Sequence, residues 1–350
     1  MHQTESQPSR PAGPATQAGA SRPPSGGTQR IVKIRRDYNA WVGDETLEDY
    51  ALRFTPRTFR RWSEFRVANT AIGAVSFLAL EAIGGALVVN YGFANAVYAI
   101  LAVSVLIFLT GIPISYYAAR NGVDMDLLTR GAGFGYLGST LTSLIYAIFT
   151  FVFFALEAAI MSLALELYLK IPLSLAYVIS ALVIIPVVTF GITFINRLQG
   201  WTQPLWLVLL VVPYAVVLWR EPHVLAEWVT FVGLSGDGRE FRLASFGAGC
   251  TVVFSLIVQI GEQVDYLRFL PPRTRANRVR WWVALISAGP GWIVPGALKM
   301  LGGALLAFLA IQHEIDPVKA VEPTQMYLVA YHYVFHSPEG ALAAMTLLVI

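Results

Sequence analysis

Seven stretches of this chain are continuously apolar, at 67–92, 94–118, 137–168, 172–195, 201–219, 244–266 and 281–311. Each approaches or exceeds the roughly 20 residues a helix needs to cross a hydrocarbon core of about 30 Å. The runs do not alternate between apolar and polar residues, so they predict helices rather than barrel strands. An eighth run begins at Gly340 and stops at Ile350. At that length it either lies in the interface or belongs to a span that continues, and the second reading is preferred. The expected fold is therefore an all-α, polytopic membrane protein, truncated in the eighth span. Residues 1–28, rich in Pro, Ser, Gly, Ala and Gln, predict a disordered tail. Residues 29–66 read as a basic region ahead of the first span, with a short surface helix from Asp44 to Leu52 ended by Pro56. Residues 67–350 form the expected transmembrane domain.

Composition agrees with this pattern. The chain is 56% hydrophobic and 13% charged, whereas soluble domains carry about 25% charged residues. Charge placement adds an orientation. Arg and Lys crowd the region before span 1 and the segments after spans 2, 4 and 6, including Arg120, Arg130, Arg197, Arg268, Arg273, Arg275, Arg278 and Arg280. With alternating spans these fall on one side, which predicts a cytoplasmic N-terminus in the plasma membrane. The same Arg residues flank spans instead of building a soluble basic patch, so no nucleic-acid partner is expected. A single cysteine, Cys250, excludes an internal disulfide. No Cys/His cluster has metal-ligand spacing, so no metal or cofactor is expected. "GAGFG" at 131–135 follows a loop rather than a strand and reads as a turn into span 3.

Four ionisable residues lie well inside the apolar runs: Glu81, Glu157, Glu262 and Lys299. Such residues are costly in lipid and are commonly functional. Glu157 shares a helix face with Phe153 one turn earlier. A ring beside a hydrogen-bonding carboxylate suits a flat heterocycle; the plainer alternative is a helix contact, with Glu157 protonated or paired to Lys299. Glu81 sits between Gly73 and the pair Gly84-Gly85, which marks either a break in mid-membrane or close helix packing. Span 6 has a similar character, with Gly247, Gly249, Ser255, Gln259, Gly261 and Glu262. Interrupted spans 1 and 6 are what a five-plus-five inverted repeat produces. Lys299 reads as a counter-ion for one of the glutamates or as a substitute for a bound cation, pairing being preferred over snorkelling.

Four stretches resemble the nucleobase–cation symporter family, the purine–cytosine permeases. They are "RRWSEFRVANTAIGAVSF" (60–77), "GVDMDLLTRGAGFGYLGSTLTSL" (122–144), "GITFINRLQGWTQPL" (191–205) and "DYLRFLP" (265–271). The resemblance implies a broken-helix transporter of ten core spans plus two. It implies import of purines, pyrimidines, hydantoins or vitamins with Na⁺ or H⁺. It places a stacking aromatic at Phe153, its polar partner at Glu157 and a second stacking aromatic at Phe254. It also places a cation on the span 1 backbone near Gly73 and Ser76. The expected substrate-binding set is thus Phe153, Glu157, Glu81, Phe254 and Gln259, with Glu262 and Lys299 in coupling or charge pairing. The expected function is a permease moving a nucleobase-like small molecule by proton or sodium symport, not an enzyme. The alternative is a permease-like sensing domain ahead of histidine-kinase domains in a longer chain.

Overall fold

The apolar runs fold as helices because a backbone surrounded by lipid has no water to bond, and a helix satisfies its amides internally. The structure is a computed structural model that describes residues 55, 57, 60, 62–73, 75–189, 191–234, 236, 238 and 240–350, with the side chains of 191–193 and 196 excepted. The tail, most of the pre-span region and the expected helix from Asp44 to Leu52 lie outside the described residues. Among the described residues every regular element is helical. Five stretches are long and apolar enough to cross a membrane: Ala79–Asn121, Met125–Leu169, Arg197–Arg220, Leu243–Leu267 and Pro290–Gln312.

The first expected span is interrupted. Helix α1 (Glu64–Gly73) ends, residues 75–78 run without helical structure, and α2 (Ala79–Asn121) begins. The 43 residues of α2 would extend about 65 Å at 1.5 Å per residue, roughly twice a bilayer core. It therefore holds the rest of span 1 and all of span 2, divided at Gly92, whose φ of 73° is non-helical. Two backbone bonds fasten that point to the loop that follows the helix Val224–Val229: Phe93 N–H to the Phe231 carbonyl (3.0 Å) and Leu234 N–H to the Val89 carbonyl (2.7 Å). Gly92 suits the site twice over, since a Cβ there would strike Gly238 and Val232 of that loop.

The chain continues through the short helix Met125–Thr129 and the turn Arg130–Phe134 into α3 (Gly135–Leu169). Gly133 and Gly135, at φ 111° and 66°, supply that turn. Then come α4 (Leu173–Thr189), α5 (Gly191–Arg220) and α6 (Leu243–Phe254). A 3₁₀ turn, Ser255–Gln259, joins α6 to α7 (Ile260–Leu267). The interruption expected in span 6 is thus a tightened helical turn, not an open break. Span 7 divides at Gly289 into α8 (Arg278–Ala288) and α9 (Ile293–Gln312). Helix α10 (Pro323–Val334) follows, its Tyr327 and Tyr331 fully buried. Helix α11 (Pro338–Val349) comes last.

Gly84 and Gly85 do not mark the break. They mark where α2 and α9 meet, the most extensive helix pairing in the fold. A Cβ on Gly84 would overlap the Met300 carbonyl, and one on Gly303 would overlap the backbone of Glu81. Small residues here let two backbones touch. Gly84→Ala is expected to cost about 1–3 kcal/mol or more through overpacking. Gly247→Ala faces open space inside a helix and is expected to leave the thermal midpoint of the detergent-purified protein unchanged or slightly raised. Equal midpoints for the two variants would refute the close-packing assignment.

Candidate functional site

An interrupted helix exposes two sets of backbone groups, carbonyls at the end of one half and N–H groups at the start of the other. In this chain side chains meet both sets. On the N–H side, Glu157 from α3 accepts from Leu78 N–H (3.1 Å) and Ala79 N–H (2.7 Å), one with each carboxylate oxygen. A carboxylate is well matched to a helix N-terminus, whose dipole end is positive. On the carbonyl side, Lys299 from α9 donates from Nζ to the carbonyls of Val75 (3.2 Å) and Phe77. The Gly73 carbonyl accepts from Ser76 twice, from its N–H (3.1 Å) and its hydroxyl (2.7 Å).

Glu81 lies in the first turn of α2, fully buried. Its carboxylate is 3.4 Å from Lys299 Nζ and accepts from Tyr327 of α10 at 3.2 Å. Tyr214 lies beside Tyr327, their hydroxyls 3.3 Å apart. The Lys299 ammonium also sits over the rings of Trp206 (4.8 Å) and Phe77 (5.8 Å), a favourable placement for a cation sheltered from water. The break is therefore an ordered polar centre: carboxylate, backbone, ammonium, carboxylate, phenol.

A cavity of about 530 Å³ opens against this centre. Its lining includes Ser76, Phe77, Leu78 and Glu157, then Gln199, Gln203 and Trp206 of α5, and the end of α11. Pockets of roughly 300–1,000 Å³ hold small organic molecules. The Gln199 side-chain oxygen is buried and meets no donor among the described residues. Gly73 leaves room for both glutamines, since a Cβ there would collide with their side chains.

Of the residues singled out in the sequence, Glu81, Glu157, Lys299, Gly73 and Ser76 come together here. Phe153 does not line the cavity: its ring packs edge-on against Phe77 at 5.4 Å and tilted against Phe149 at 4.6 Å. Phe254 is 42% exposed at the end of α6 and does not line this cavity. Gln259 and Glu262 bond each other, and Glu262 accepts from Tyr266 at 2.6 Å. They form a separate polar cluster in span 6, so the glutamate that Lys299 pairs with is Glu81. The α5 residues are not among those candidates. Their signal was present, because Gln199, Thr202, Gln203 and Trp206 follow the i, i+3, i+4, i+7 spacing of one helix face.

The interrupted first span, the helical bundle around it and the cavity at the break define a broken-helix membrane-transporter fold. A solved structure with this fold is Mhp1, described as a nucleobase-cation-symport-1 family transporter in a closed conformation with bromovinylhydantoin bound. The two match with a TM-score of 0.54 at 15% sequence identity, over 85% of this chain and 72% of that one. No protein-family model and no curated protein matches the chain.

Proposed function

We propose that this chain is a permease that binds a small planar, nucleobase-like compound at the break in span 1 and carries it across the membrane with a coupling ion. The observation that carries the reading is the cavity itself. It is of small-molecule size, and its lining includes the aromatic residues Phe77 and Trp206 and the amides of Gln199 and Gln203. Aromatic faces suit a flat ring, and amide groups offer the donors and acceptors that a heterocycle's polar edge requires. The fold match to a transporter points the same way, and nothing in the described residues favours the sensor alternative. Glu157 enters this reading as a positioning residue, since its oxygens are bonded to Leu78 and Ala79. The ligand faces the wall that Glu157 holds in place.

The test is uptake of labelled purines, pyrimidines and hydantoins by cells expressing the full-length gene. Gln199→Leu and Gln203→Leu are expected to lower affinity for the accepted compound about tenfold or more, as expected when a polar contact in a site is lost. Absence of uptake and of saturable binding across all three classes would overturn the reading. Unchanged affinity in both glutamine variants would move the site elsewhere.

A further inference from the structure

The resemblance to a cation symporter puts a metal cation on the span 1 backbone near Gly73 and Ser76. Three carbonyls of that segment are already engaged. The Gly73 carbonyl is held by Ser76, and the carbonyls of Val75 and Phe77 are held by the Lys299 ammonium. The same ammonium faces Glu81 at 3.4 Å and lies over Trp206 at 4.8 Å. Only 6% of Lys299 is exposed. An alkali ion at these carbonyls would have to share them with a fixed positive charge, in a site where water does little to screen the two. The donor set here does not fit sodium.

We infer that Lys299 is a tethered internal cation: it does at the carbonyl end of the break what a bound alkali ion would do, and the chain needs no sodium to hold span 1 in its broken form. This rests on the permease reading only in its consequence for transport, where uptake proceeds without a sodium gradient. The structural part stands on the contacts alone. A sodium ion can arrive and leave, whereas an ammonium on a side chain stays within reach of Val75, Phe77 and Glu81. The break in this chain is accordingly permanent rather than ion-induced.

The experiment compares thermal midpoints of the purified full-length protein in sodium chloride and in choline chloride at equal ionic strength. The wild type is expected to melt identically in both. Lys299→Ala is expected to melt lower and to regain part of the loss with millimolar ethylammonium, which restores an ammonium to the emptied space. A saturable rise of the wild-type midpoint with sodium would overturn the inference. So would a folded Lys299→Ala protein that ethylammonium does not restore. Should Lys299→Ala fail to fold, Lys299→Arg and Lys299→Met decide the matter. Arg keeps the charge and is expected to retain the wild-type yield; equal loss in both variants would overturn the assignment of a cationic role. Uptake is measured alongside, with and without sodium. A complete lack of uptake counts against the permease reading, while the midpoints still judge the tethered cation.

Discussion

Lys299→Met is expected to lower the thermal midpoint of the purified protein by about 4–7 °C, given a loss of about 3–5 kcal/mol and about 1.4 °C per kcal/mol for a chain of this length. The substitution preserves most of the side-chain volume, so packing changes little. What disappears is the charge that faces Glu81 and the donor for two carbonyls. Glu81, fully buried, is then left with Tyr327 as its polar partner. Breaking a buried pair by removing one member is more costly than removing both, because the survivor is stranded. Glu81→Leu in the Lys299→Met background is therefore expected to recover part of the loss. The cycle of wild type, two single variants and the double variant measures this directly. A coupling near zero would show that Lys299 and Glu81 do not act as a pair.

Glu157→Gln is expected to give the second large effect, with a different signature. Its two oxygens hold adjacent N–H groups at the start of α2. An amide supplies one acceptor and turns a donor toward the other N–H, leaving one buried backbone group unbonded at about 1–3 kcal/mol. The carboxylate's favourable interaction with the helix N-terminus is lost as well, worth about 0.3–1 kcal/mol or more. Glu157→Asp is shorter, keeps the charge and is expected to lose less stability than Gln. On the permease reading both variants also weaken ligand binding, since residues 76–78 line the cavity and are fixed in place by Glu157. Unchanged stability in Glu157→Gln would remove Glu157 from the break. Unchanged ligand affinity alongside reduced stability would confine it to a structural role.

Much of this centre is legible in the sequence because charge within an apolar run is rare and conspicuous. Glu81, Glu157 and Lys299 each stand out for that reason, and pairing of Lys299 with a glutamate follows from the cost of leaving either alone. Which glutamate it pairs with does not follow, since that depends on how α2, α3 and α9 pack across more than two hundred residues of chain. The glycines show a second limit. Gly73 borders the break, while Gly84 and Gly85 serve close packing, yet both uses require only the absence of a side chain. Span 6 carries the same glycine and polar residues as span 1 and tightens into a 3₁₀ turn without opening. Gln199 and Gln203 are inconspicuous in the sequence because an uncharged amide barely disturbs the hydropathy of its run. Helix α10 is inconspicuous because at 12 residues it is too short to register as a span, although Tyr327 on it completes the surroundings of Glu81. The turn from Arg130 to Phe134 was legible, as closely spaced glycines have few other uses between two helices.

Small solutes are expected to reach Ser76 through the cavity it lines beside α5, while Lys299, 6% exposed, stays beyond their reach. Ser76→Cys, placed in a full-length Cys250→Ser background, tests it most directly. Reaction with a small, charged thiol reagent is followed in membranes, with Phe254→Cys alongside as a position outside the cavity. Ser76→Cys is expected to be modified rapidly, and more slowly when Gln203→Trp fills part of the cavity. A Ser76→Cys thiol that stays unmodified, or that reacts no differently once the cavity is filled, would contradict the account.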